Sequence, residues 1–141
     1  MCGVSFRRVI AVLLAVLVLV AVSGCLASEG GTTQVQSEAP AFTMTADQLY
    51  AEYAANQVAA DQKYKDQVVS VSGPITDIGK DISDTAYVVI GGTDSLDGVQ
   101  CFFSSGSESQ VAAMSKGQSI TVKGRVQGKV ANIVLQDSVL Q

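Results

Sequence analysis

The chain contains no histidine and no tryptophan. Without histidine it lacks the commonest general base and the commonest metal ligand. Cysteine is scarce, with three in 141 residues, and two of these, Cys2 and Cys25, lie in the first 25 positions. Cys101 is then the only thiol in the body of the chain, and an intramolecular disulfide is excluded there. Nucleophile arrangements are missing as well. The serines have no histidine to activate them, and no Gly-x-Ser-x-Gly elbow occurs. There is no phosphate loop and no dinucleotide fingerprint, and Gly91-Gly92 reads as a turn. These absences lead to the expectation of a protein that is not an enzyme and uses no cofactor.

Apolar length is concentrated at the start. Val9 to Val22 is apolar without a break, Arg7 and Arg8 precede it, and Ser23-Gly24-Cys25 follows. A positive n-region, a short apolar h-region and small residues before a cut describe a secretory signal peptide. The run falls short of the about 20 apolar residues that favour a transmembrane helix. The cysteine after the small pair makes a lipobox, which resembles the site where bacteria attach a diacylglyceryl group and then cleave. The expected organisation is a signal peptide over 1–24, a lipidated Cys25 with a flexible tether over 25–44, and a folded domain over 45–141. The expected location is extracytoplasmic, lipid-anchored to a cell membrane or envelope. The tether is rich in Gly, Ser, Thr, Gln and Ala. As a flexible coil it would hold the domain roughly 20–25 Å from the membrane.

Removing residues 1–24 leaves 117 residues, enough for one domain. It also removes two arginines, so the remainder has seven basic residues against thirteen acidic ones, a net charge of −6. An acidic surface disfavours nucleic acid as a partner. An envelope protein, a glycan or a small ligand fits better.

Thr45-x-x-Gln48 predicts a capping box at the start of a helix. Ala46, Leu49, Tyr53, Ala60 and Tyr64 share one helical face. From Val68 the period changes to two. Strands are expected at Val69–Ile75, Ala86–Ile90 and Val99–Phe103. A short helix follows over Ser107–Met114. Two more strands are expected, one through Ile120, Val122 and Val126 and one from Ile133 to about Leu140. Val69-Ser-Val71-Ser-Gly73-Pro-Ile75 matches Ile120-Thr-Val122-Lys-Gly124-Arg-Val126 position for position. In each, a glycine falls where the strand must bend. Three strands, a helix and two strands make the order of an OB-fold. The predicted fold is therefore mainly β, a five-stranded Greek-key barrel preceded by an N-terminal helix. The alternative is an open α+β sandwich with the helix over one sheet face.

Tyr53-x-x-Asn56-x-x-Ala59-Ala60-Asp61-x-x-Tyr64, Val69-x-Val71-x-Gly73, Cys101-Phe-Phe103 and Lys116-Gly117-x-x-Ile120-x-Val122-x-Gly124 resemble the tRNA-anti-like family of bacterial lipoproteins. The resemblance covers about residues 45–141. It implies a helix followed by an OB-fold. The family name records likeness to anticodon-binding domains rather than demonstrated tRNA binding. Family members often carry a second cysteine in the last strand, able to bridge to the one at Cys101. Ser138 stands there in this chain, which implies an unpaired Cys101.

Two constellations offer chemistry. Asp77, Asp81, Asp84, Asp94 and Asp97 flank the second strand. Aspartate is a common turn residue, and their spacing fits no EF-hand, so no metal site is expected. Tyr87, Phe102, Lys123 and Arg125 are the candidate ligand face, a modest aromatic and cationic patch with Lys129 just beyond it. OB-folds bind oligonucleotides and oligosaccharides across such strands. Phe102 points outward if Cys101 and Phe103 point inward.

Overall fold

In a computed structural model that describes residues 35–141, Thr45 opens the helical region as its sequence predicts. Its Oγ1 accepts the Gln48 N–H at 3.2 Å, and Gln48 Oε1 accepts the Thr45 N–H at 3.0 Å. The helix so capped, α1 (Ala46–Ala55), ends one residue before Asn56. Asn56 is extended, with φ −160° and ψ 96°. Its Oδ1 accepts the Ala59 N–H at 3.1 Å and starts a second helix, α2 (Gln57–Tyr64). The single helix read from the sequence is thus two. A short polar side chain that can bond a nearby backbone N–H favours a cap over a helix interior. The apolar stripe survives the break. Leu49, Tyr53, Ala60 and Tyr64 are all buried, and the rings of Tyr53 and Tyr64 stack at 6.3 Å.

The signal peptide over 1–24, Cys25 and the tether as far as residue 34 lie outside the described residues. From residue 35 onward the chain departs from the flexible tether expected through residue 44. Residues 35–37 make a helical turn, and Val35 is fully buried. A strand follows, β1 (Phe42–Thr45), parallel to β2 (Val68–Lys80), with Phe42 opposite Val69 and Thr45 opposite Ser72. The Phe42 ring meets Tyr64 edge-on at 4.9 Å. Polar composition concealed three apolar anchors, Val35, Phe42 and Met44, which find partners only in the assembled barrel.

The remaining elements are β3 (Ala86–Ile90), β4 (Val99–Phe103), the short α3 (Glu108–Ala112), β5 (Ser119–Lys129) and β6 (Ile133–Leu140). β2 is long enough to serve two neighbours. Its first half pairs antiparallel with β5, from Val68 opposite Arg125 to Pro74 opposite Ser119. Its second half pairs with β3, from Ile75 opposite Ile90 to Lys80 opposite Ala86. β3 pairs with β4, β4 runs parallel to β6, and β6 pairs with β5. The order β2-β3-β4-β6-β5 closes on itself through the β2–β5 ladder. This is the closed five-stranded OB-type barrel predicted from the element order, with β1 added on the edge of β2.

Alternation fills the interior. Val69, Val71, Val88, Ile90, Val99, Val122, Val126, Ile133 and Leu135 point into one core, which α1 and α2 close with Leu49, Tyr53 and Tyr64. Cys101 belongs to that core, fully buried and free, opposite Val88 on one side and Leu135 on the other. Burial pushes its thiol well above the usual range. Ser138 is buried opposite Phe103.

Candidate functional site

Tyr87 and Phe102 face each other across the β3–β4 ladder on its outward side. Both are half-buried, and their ring centroids lie 5.8 Å apart at a tilt of 57°. Phe102 points outward, as the alternation with buried Cys101 and Phe103 predicts. Local packing fixes Tyr87. Its ring lies across Gly79 of β2, where a Cβ would come within 2.8 Å of the Tyr87 hydroxyl. A side chain at position 79 would push against the outer end of the Tyr87 ring. The same hydroxyl is 3.5 Å from Asp77 Oδ2. Asp77 Oδ1 receives the Lys116 ammonium at 2.7 Å, and this hydrogen bond holds the Asp77 carboxyl below the usual carboxylate range. The face therefore carries two paired rings with a compensated ion pair at its edge.

Lys123 and Arg125 do not join this face. They project from β5, whose neighbours in the barrel are β2 and β6, and the segment before β1 covers them. Lys123 is only 7% exposed. Its ammonium donates to the carbonyls of Gln36 and Glu38, each at 3.0 Å. Arg125 donates to the Asp66 carbonyl at 2.7 Å and to the Glu38 carboxylate at 2.7 Å. The expected four-residue patch thus separates into an open aromatic pair and two basic side chains that clamp a strap of the protein's own chain. The correction follows from the tether: a segment read as flexible had left β5 apparently bare.

The five aspartates near β3 spend their oxygens locally. Asp81 Oδ1 accepts the N–H groups of Ser83 and Thr85 at 2.8 and 2.9 Å. Asp84 pairs with Lys80 at 3.0 Å. Asp97 accepts the N–H groups of Thr93 and Asp94 and the Thr93 hydroxyl. The Asp94 N–H and then the Thr93 hydroxyl hold the Asp97 carboxyl below its ordinary value. Asp94 Oδ1 accepts the Leu96 N–H at 2.7 Å. These are turn-forming side chains. Among the described residues no group of three potential ligands is placed to hold a metal ion.

Sequence reasoning missed a second concavity. An open cleft of about 620 Å³ lies along the outward face of the β2–β5 ladder. Ser72 and Thr121 form one cross-strand pair of its floor, and Pro74 and Ser119 the next. Thr45 and Asp47 bound one side, and Leu140 and Gln141 the other. The alternation of Ser70 and Ser72 with buried valines shows in the sequence that this row faces outward. The walls come from β1 and the C-terminus, and only the assembled fold brings them there.

A model of the tRNA_anti-like family matches residues 1–139. Among solved structures, the chain is similar to a crystal structure from Klebsiella pneumoniae subsp. pneumoniae MGH 78578, described as a "putative nucleic acid-binding lipoprotein". The TM-score is 0.56 and the identity 23%, over 80% of this chain and 99% of that one. The likeness is one of fold. No curated protein matches the chain.

Proposed function

We propose that this chain, which belongs to the tRNA_anti-like family, is a lipid-anchored, extracytoplasmic protein whose OB-type barrel binds an envelope component across the outward face of β3 and β4. Anchoring rests on the lipobox at Cys25 with its basic, then apolar leader. The observation that carries the binding face is the Tyr87–Phe102 pair, held on the outside of a closed barrel with its rings half-exposed. Rigid aromatic surface costs little entropy to use and accepts planar or ring-shaped partners. The protein acts by binding rather than catalysis. It has no histidine, and its core thiol is buried and shifted away from the thiolate.

The neighbour's description favours a second reading, single-stranded nucleic acid. Charge argues against it here. Of the seven basic residues after the leader, Lys63, Lys80, Lys116 and Arg125 are paired with carboxylates. Lys123 is spent on two carbonyls, and Lys129 sits 4.3 Å from the centre of the Tyr50 ring. Single-strand binders join stacked aromatics to a basic groove that releases counterions. The aromatics here have no such groove. Fluorescence anisotropy with labelled single-stranded DNA and RNA, added to the full-length protein in detergent at physiological salt, is expected to show no saturable binding. Micromolar, salt-sensitive binding that Phe102→Ala weakens would overturn this choice and establish the nucleic-acid reading.

A further inference from the structure

We infer that the cleft on the outward face of the β2–β5 ladder is a second binding site, separate from the aromatic face, and that it takes an uncharged glycan segment. The cleft is an unfilled stretch of a surface that is otherwise covered. Along the same ladder, the next cross-strand pair, Ser70 and Lys123, is buried, and residues 36 and 38 bond to Lys123. Beyond the strap, the pairs Ser72–Thr121 and Pro74–Ser119 lie open.

The lining decides the ligand class. Its polar groups are hydroxyls and side-chain amides, which both donate and accept hydrogen bonds. Sugar hydroxyl and acetamido groups do the same. Pro74, Ile120 and Leu140 add small apolar surfaces, suited to the C–H faces of a pyranose ring. No lysine or arginine lines the cleft, and its one charged side chain is the Asp47 carboxylate. Phosphates and carboxylates therefore find no counter-charge. One Asp47 oxygen is already fixed by the Gly92 N–H at 3.0 Å, which orients the carboxylate as an acceptor. An apolar peptide finds no deep side-chain pocket among these residues. The volume lies within the range of about 300–1,000 Å³ typical of ligand sites.

The test is a titration of the ¹⁵N-labelled full-length protein in detergent micelles with chitotriose. Inorganic phosphate and an alanine–threonine hexapeptide serve as comparisons. Chitotriose is expected to give saturable millimolar shifts at the amides of Ser72, Ser119, Thr121 and Gln141, and phosphate none. Thr121→Arg, which fills the floor and leaves the core untouched, is expected to weaken binding by about tenfold or more, equivalent to about 1.4 kcal/mol. Ser119→Arg blocks the adjacent pair and repeats the test should the first variant melt early. Absence of saturable shifts in the cleft with chitotriose would overturn the inference. So would shifts with the hexapeptide alone, which would assign the cleft to an added strand. Chitotriose shifts confined to Tyr87 and Phe102 would also overturn it, and would leave the reading of the aromatic face intact.

Discussion

Cys25→Ala is expected to remove all acyl label from the protein and to change its partitioning between the membrane and soluble fractions. The proposed anchor rests on a single atom's chemistry: without the thiol there is no thioether and no diacylglyceryl group. Each buried CH₂ contributes about 0.8 kcal/mol, and one short chain alone holds only marginally, so two or more chains are needed for stable anchoring. Among the described residues no helix is long and apolar enough to cross a membrane. Metabolic labelling with a clickable fatty acid, followed by fractionation, checks both halves. Equal labelling of wild type and variant would remove the basis for the lipoprotein assignment.

Gly124→Val is expected to destabilise the barrel strongly, and Gly73→Val less so. The sequence places both glycines alike, in matched rows of two strands, but their surroundings differ. A Cβ on Gly124 would lie 2.9 Å from Ser138 Oγ, 3.0 Å from Leu135 Cβ and 3.2 Å from the Gln136 carbonyl. All three contacts belong to the paired strand β6, whose register shifts beside Gly124, and neither the Gln136 backbone nor the buried Leu135 Cβ can swing away. A Cβ on Gly73 meets the Gly91 nitrogen at 3.2 Å and Ala46 Cβ at 3.3 Å, so relief needs only a few tenths of an ångström. Overpacking costs about 1–3 kcal/mol and occasionally more. Gly124→Val belongs at or above the top of that range and Gly73→Val near the bottom. For a domain of about 100 residues, each kcal/mol lowers the melting temperature by roughly 4–8 °C. Thermal melts of the two variants check the order. Equal melting of both would show that the β5–β6 approach is looser than described.

The barrel was legible because its signals are local and repeated. Valines alternating with serines around Gly73, the Ala86–Ile90 run and the Cys101–Phe103 alternation each fix a strand and its inward face from a few residues. The helix stripe was legible for the same reason, although Asn56 breaks it. Asn56 can continue a helix or cap the next one, and its extended backbone with Oδ1 on the Ala59 N–H shows that here it caps. The strap was not legible. Val35 and Phe42 are isolated apolar residues in a polar stretch; Val35 is nonetheless fully buried, and Phe42 packs on Tyr64, more than twenty positions further along the chain. That error passed to the site. Lys123 and Arg125 are outward-facing by alternation, as read, but whether an outward face is bare depends on what crosses it. Phe102 faces outward as its alternation with Cys101 and Phe103 implied, and the β3–β4 register places Tyr87 opposite it.

The most direct measurement is photocrosslinking from position 102. A benzophenone amino acid replaces Phe102 in the full-length protein, in cells that make it. A control protein carries the same group at Val58, which is 69% exposed on α2, away from the paired rings. Illumination is expected to give a discrete adduct with an envelope component from position 102, none from position 58, and no change in the adduct on nuclease treatment. No adduct from position 102, the same adducts from both positions, or an adduct that nuclease removes would contradict the account of an anchored barrel that binds an envelope component through its aromatic face.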